Sequence, residues 1–292
     1  MSKILITGAS GFIGRALSSK LKAKDIDLVL IGSADGDIAS AETLKNLGSV
    51  DISHVFHLAG KTYVPDSWTY PNEFYRTNLL GTTNVLEFCK SRGVSMTFVS
   101  AYVYGHPEAL PIMESSRIRP NNPYALSKRF AEEACEFYAE THGLSIAAIR
   151  PFNVYGAGQD DKFLIPSIIR QVLTEEKIMV QDLVPKRDYV FLEDLVAALL
   201  ATLKAKRGYN VFNIGSGYSL NVKEVIDIIQ DVASTDKEVV SEKNVRSNEL
   251  MDVVADISKA RKDLGWEPQY SFREGIVNML VHRRISCDFL LA

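Results

Sequence analysis

Short apolar, β-branched runs alternate with stretches of helical periodicity over the first half of the chain, and this alternation limits the fold more than any other feature. The runs KILITG (3–8), DLVLIG (27–32), HVFHLAG (54–60), MTFVSA (96–101) and SIAAIRP (145–151) are separated by helical stretches such as 16–24 and 78–92. Strands separated by helices do not pair as tight hairpins; they return in parallel through crossover helices. The expected architecture is therefore α/β, with a doubly wound parallel sheet. With 292 residues, 46% of them apolar, the chain can bury a core of that kind. After about Pro151 the rhythm loosens: a helix is expected near 165–173, a strand near Ile178, and helices near 193–203 and 221–232. These read as a smaller lobe on the sheet's carboxyl edge. The expected division is 1–150 and 151–292, with part of the second segment returning to the first. No internal repeat and no low-complexity linker interrupts the pattern.

Charge and cysteine content remove several classes of partner. The net charge is only −3 and no basic stripe is present, so nucleic acid is not an expected partner. No apolar run approaches a membrane span, and the chain moves straight into a strand, so a cytoplasmic protein is expected. Cys89, Cys135 and Cys287 are odd in number and lack CxxC spacing, which fits packing residues rather than a disulfide frame or zinc site. His54, His106, His142 and His282 have no ligand spacing, so no metal is expected; His57, inside a buried strand, reads as a structural hydrogen-bonding residue.

Two motifs carry chemistry. In GASGFIG, Gly8, Gly11 and Gly14 follow the first strand and open a helix. Glycines there let the turn close and let the backbone approach a pyrophosphate, while the helix N-terminus faces its charge. In NPYALSK, Tyr124 and Lys128 stand four apart on one helix face. An ammonium one turn away favours the phenolate and turns a weak acid into a usable proton partner. Ser100 ends the strand MTFVS, so its hydroxyl is expected at the carboxyl edge, where open α/β sheets bind ligands.

These motifs, with VFHLAG, TNLLGTTNVLE, SAYVYG, RPFNVYGAGQ, RDYVFLEDLVAAL and ARKDLGWEP, make the chain resemble the extended short-chain dehydrogenase/reductase family of nucleotide-sugar epimerases, dehydratases and ketoreductases. The resemblance covers nearly the whole length. It implies a Rossmann-type doubly wound parallel sheet with a smaller α/β substrate-binding lobe. It also implies that Ser100, Tyr124 and Lys128 are catalytic, with Tyr124 exchanging a proton while hydride passes to or from nicotinamide. Lys128 would also hold the nicotinamide ribose, and the cofactor would touch Phe12, Ile13, Asp37, Ile38, Leu58, Ala59, Gly60, Asn78, Pro151 and Phe152. The substrate would meet Ser100 and Tyr102, and its diphosphate would meet Asn153, Arg187 and Arg246. Read without the resemblance, Arg187 could instead pair with Asp188 or Glu193, and Arg246 could be a solvated loop charge.

Departures from the family pattern narrow the activity. Dehydratase relatives carry carboxylates just after the catalytic Ser or Thr, where this chain has Ala101 and Tyr102, so a 4,6-dehydratase is not expected. Strand two ends in Gly32 rather than an acid; Ser33 and Arg15 could hold a 2′-phosphate, which favours NADP(H) and permits NAD(H). The tail RSNELMDVVADISKARKDLGW resembles the 4-keto-6-deoxyhexose reductases. The expected activity is reduction at C4 of a nucleoside-diphosphate 4-keto-6-deoxyhexose, in polysaccharide biosynthesis. A 4-epimerase with bound NAD is the alternative, and a non-catalytic dinucleotide sensor is a further one.

Two architectural expectations follow. Relatives place a helix and a strand between the end of strand two and the Asp-Ile pair, whereas here Gly32 and Asp37 are five positions apart. That is too few for a crossover, so the usual third strand is expected to be missing. Helices at 78–92 and 124–142 carry Leu126, Phe130 and Phe137, and the resemblance implies a homodimer built on a four-helix bundle. The alternative is that these residues face their own sheet.

Overall fold

The computed structural model describes residues 2–242 and 249–290. In the first half, β1 (Lys3–Thr7), α1 (Phe12–Lys22), β2 (Leu28–Ile31), the one-turn α2 (Glu42–Lys45) and β3 (Ile52–His57) follow in order. The short α3 (Val64–Thr69) and α4 (Pro71–Phe74) lead through a π-helical turn, Tyr75–Leu80, into α5 (Gly81–Arg92), β4 (Ser95–Val99), α6 (Pro123–His142) and β5 (Ile146–Pro151). The second half contains β6 (Asn153–Tyr155), α7 (Leu164–Thr174), β7 (Lys177–Val180), β8 (Lys186–Arg187), β9 (Tyr189–Phe191), α8 (Leu192–Ala201) and β10 (Tyr209–Ile214). It closes with β11 (Leu220–Asn221), α9 (Val222–Ala233), β12 (Glu238–Ser241), α10 (Ser258–Leu264) and α11 (Phe272–Leu290).

The central sheet has six strands, all parallel, in the order β10-β5-β4-β3-β1-β2. Each strand sends alternate residues to opposite faces, and both faces are apolar. Ile4 and Ile6 enter one core with Leu17, Leu21 and Leu199, while Leu5 enters the other with Val85, Leu86 and Phe98. Strand order reverses beside β1, which pairs with β2 on one side and β3 on the other. The crevice at the carboxyl ends of β1 and β3 is thus the topological switch point, where sheets of this type bind ligands. Between Ile31 and Ile52 the only regular element is α2, and β2 lies at the sheet edge with no strand outside it.

The chain after Pro151 divides between two bodies. β10 returns to pair with β5, from Tyr209↔Ile146 to Ile214↔Pro151, and α8 packs on α1. A separate cluster of Ile165, Ile169, Ile178, Val225, Ile229, Ile276 and Met279 forms the core of the smaller lobe around α7, α9 and α11. Asp188 ties the bodies together. Its buried carboxylate accepts from the amides of Ser216, Gly217 and Ala255 and from the Ser216 hydroxyl. Local capping signals are used where they occur: Asn122 accepts from Ala125 N at 2.8 Å, with Pro123 in the first turn of α6.

Candidate active site

The glycine turn sits at the switch point. Gly8 has φ +72°, and a Cβ on it would lie 2.6 Å from Ala59 N; one on Gly14 would lie 2.1 Å from Gly8 O. Backbone contact therefore requires both glycines. Gly11 differs, since a Cβ there would meet only Gly8 O at 3.2 Å. Gly11 caps α1 without a side-chain hydrogen bond, and the first turn holds no acid, so the helix N-terminus is open to an anion. Phe12 and Ile13 turn inward onto the core, and Arg15 folds back, donating to Ser10 O at 2.6 Å and Gly158 O at 3.4 Å.

The turn after β2 holds two acids. Asp37 accepts the Ala39 amide at 2.9 Å and pairs with Arg76 at 2.5 Å; that amide, together with Arg76, holds its carboxyl below the usual range. Ile38 is buried against Gly81. Asp35 bends back to accept the Gly32 amide at 2.7 Å. A carboxylate does therefore stand at the end of β2, supplied three residues late. The SADG stretch carries that acid in a turn whose side chain folds back onto the strand end, a local side-chain to backbone contact that position 32 alone does not disclose.

After β3, Leu58 N donates to Thr7 O at 3.1 Å, which holds Ala59 and Gly60 against the glycine turn. Gly60 lies between Asn78 and Lys128: a Cβ on it would be 2.9 Å from Asn78 Oδ1 and 3.3 Å from Lys128 Nζ. Asn78 is fully buried. Its Oδ1 accepts Lys61 N at 2.8 Å and its Nδ2 donates to Ser127 Oγ at 2.9 Å, tying this loop to α6. His57 is structural, as read from the sequence: Nδ1 meets Thr7 Oγ1 at 2.7 Å and Nε2 meets Thr82 Oγ1 at 3.0 Å.

Ser100, at the end of β4, is 2% exposed, and its hydroxyl has no hydrogen-bond partner in the protein. Lys128 Nζ donates to the carbonyl of the preceding Val99 at 2.7 Å and lies 4.7 Å from the Phe98 ring centre; burial pushes its ammonium down to about 8. Tyr124 is half-buried with its ring edge toward Phe74, and burial pushes its phenol up. The lowering expected from Lys128 is not found here. The ammonium is directed at Val99, and enclosure of the phenol dominates.

The opposite wall comes from the loops after β4 and β5. Tyr102 donates to Gly105 O at 2.7 Å and packs edge-on against Phe152, next to Pro151. Asn153 anchors β6, its amide side chain donating to Asp188 O at 3.1 Å. Arg187 lies close enough to Tyr102 to act on its phenol by charge, but pairs with neither Asp188 nor Glu193. Its partners are the Glu249 carboxylate and the carbonyls of Lys186 and Leu250. Arg246 lies outside the described residues. A buried network behind the site was not read from the sequence: Arg150 pairs with Glu132 of α6 and donates to Tyr104 Oη, which donates to Asn213.

The family model described as the NAD-dependent epimerase/dehydratase family matches residues 4–215. The chain belongs to that family. The resemblance drawn from its motifs and the Rossmann-type sheet are both borne out. A relative, GDP-6-deoxy-D-mannose reductase of Pseudomonas aeruginosa, is 33% identical over 287 residues, covering 94% of each chain. The structure of RMD from Pseudomonas aeruginosa complexed with NADPH superposes with a TM-score of 0.90 at 32% identity, covering 98% of this chain and 100% of that one. UDP-glucose 4-epimerase from Thermotoga maritima, solved with UDP-glucose, superposes with a TM-score of 0.91 at 28% identity, covering 98% and 99%. Among the described residues, no helix is long and apolar enough to cross a membrane, and no cluster of His, Cys, Asp and Glu is placed to hold a metal.

Proposed function

We propose that the protein reduces the C4 ketone of a nucleoside-diphosphate 4-keto-6-deoxyhexose with NAD(P)H. The observation that carries this reading is the Ser100 hydroxyl, buried without a partner beside the Lys128–Val99 contact and on the same edge as Tyr124. A buried polar group left unpaired costs stability and is kept where a ligand completes it.

The residues fit a nicotinamide dinucleotide. Gly11 leaves the uncapped N-terminus of α1 open, where it would meet the pyrophosphate; Asp37 and Ile38 would hold the adenosine end, and Leu58, Ala59, Gly60 and Asn78 would line the path toward Lys128. When bound, the nicotinamide supplies the hydride. Ser100 donates a hydrogen bond to the substrate's carbonyl oxygen, and Tyr124 gives its proton to that oxygen as it becomes a hydroxyl. A phenol held protonated by burial suits this direction. Lys128 would hold the ribose, and Phe152 and Tyr102, packed edge-on against each other, would wall the reacting carbon. Asn153 and Arg187 meet the diphosphate, for which Arg187 exchanges its contact with Glu249.

The reductase relative and the NADPH complex support reduction; the superposition on a 4-epimerase keeps epimerisation as the second reading. Supplying nucleotide-linked 4-keto-6-deoxyhexoses with NADPH or NADH decides between them. Consumption of reduced cofactor in step with product is expected. Interconversion of two nucleotide hexoses with no net cofactor use would assign the epimerase, and coenzyme binding without hydride exchange would assign the sensor.

A further inference from the structure

The turn after β2 closes on itself. Asp35 N donates to Gly32 O at 3.1 Å, and Asp35 Oδ2 accepts Gly32 N at 2.7 Å. A side chain at position 32 itself would require Ser10 to move, because a Cβ there would lie 2.7 Å from Ser10 Oγ and 2.9 Å from Ser10 Cβ. The acid that this strand end lacks in sequence is thus returned to it by the turn, without crowding the glycine motif.

The two acids of the turn are not equivalent. Asp37 is neutralised by Arg76. Asp35 is exposed, and no lysine or arginine among the described residues bridges to it. Arg15, the other cation nearby, is directed at Ser10 and Gly158 carbonyls. An uncompensated carboxylate therefore stands at the end of the edge strand, with only one of its oxygens engaged by the Gly32 amide.

We propose that Asp35 discriminates between NAD(H) and NADP(H) in this chain. Its remaining oxygen accepts hydrogen bonds from the adenosine ribose hydroxyls. Against a 2′-phosphate it acts twice, by like charge and by occupying the Gly32 amide that would otherwise donate to the phosphate. NADP(H) binds by displacing the carboxylate from that amide. The inference rests on the reading that a dinucleotide occupies the glycine turn.

Asp35→Asn keeps an oxygen for the Gly32 amide and removes the charge. Calorimetric titration of the full chain with NADH and with NADPH gives two dissociation constants for each version, independent of turnover. The ratio of the NADH to the NADPH constant should rise on the order of tenfold in D35N. That gain should shrink as salt is raised. An unchanged ratio, with both coenzymes bound, would overturn the role of Asp35 and leave the dinucleotide reading standing; failure of the original protein to bind either coenzyme would overturn both. Asp35→Ala also loses the turn contact, so a shift present in D35A and absent in D35N would assign the effect to the turn and overturn the charge argument.

Discussion

The ammonium of Lys128 donates to the carbonyl of Val99 at 2.7 Å, fastening α6 to the residue before Ser100. This contact keeps a buried cation in the protein, and burial holds its proton loosely, down to about 8. The unfolded chain keeps the proton until its usual value near 10.5, so between about 8 and 10.5 the unfolded state binds more protons than the folded one. Stability should therefore rise with pH across that window, by at most about 1.4 kcal/mol per pH unit. Denaturant unfolding of wild type and Lys128→Met at several pH values tests this: the difference should move in favour of wild type above about pH 8. A parallel pH dependence in the two proteins would contradict it.

Ser100 separates stability from function. Its hydroxyl is buried and unpaired in the protein, so Ser100→Ala removes a desolvated group that makes no hydrogen bond within the fold. Tm should stay level or rise, with a gain of about 1–3 kcal/mol as the ceiling. The same change should lower kcat by about one to three orders of magnitude if the hydroxyl steadies the carbonyl oxygen. A stability loss together with unchanged kcat would assign Ser100 to packing.

Tyr124→Phe keeps the ring that packs edge-on against Phe74 and removes only the proton. The variant should fold and bind coenzyme normally while losing at least about a hundredfold in turnover. Near-normal turnover would remove Tyr124 from the chemistry.

Acid should destabilise the protein through its strand histidines. Burial, with the Lys128 charge adding to it, pushes His57 down to about 3, and burial pushes His54 down to about 4. Both are neutral in the fold, whereas the unfolded chain takes up protons near 6.5. Their contribution is present above about pH 6.5 and is lost as pH falls toward 4 and 3, at up to about 1.4 kcal/mol per unit for each residue. His57→Gln should be less stable than wild type at pH 7, with the gap narrowing as pH falls. A gap that is constant with pH would mean that His57 is charged in the fold.

What the sequence disclosed followed local periodicity. β1, β3, β4 and β5 were legible because both faces of each strand are apolar, and the spacing of Tyr124 and Lys128 fixes a shared helix face whatever surrounds them. β10 was not read: its YNVFNI run carries two asparagines, and it is stabilised by pairing with β5, some sixty residues earlier. Long-range partners were hidden for the same reason. Nothing near Arg187 points to Glu249, 62 positions away, and the Arg150–Glu132 pair joins a strand to a helix whose packing the composition does not specify. Asp35 was the exception, a local turn whose consequence lies in the fold-back of its own side chain.

The outer face of α6 leads to the last prediction. Ala131, Cys135 and Ala139 face inward, while Phe130 and Phe137, seven positions apart and on one side, are 38% and 58% exposed. Those two do not pack under their own sheet; Leu126, half-buried, lies between the two faces. Leu80 adds a third exposed apolar side chain, from the turn that leads into α5. Exposed aromatic residues repeated along one helix face fit a partner surface, and a two-fold axis beside α5 and α6 would supply one by placing two copies of each helix in a four-helix bundle. Light scattering at micromolar concentration should give twice the chain mass. Phe137→Glu should give monomers that still bind coenzyme, because a carboxylate placed in an apolar interface loses its water without gaining a counter-charge. A wild-type monomer would reject the dimer, and a dimer that survives Phe137→Glu unchanged would move the interface away from this face of α6.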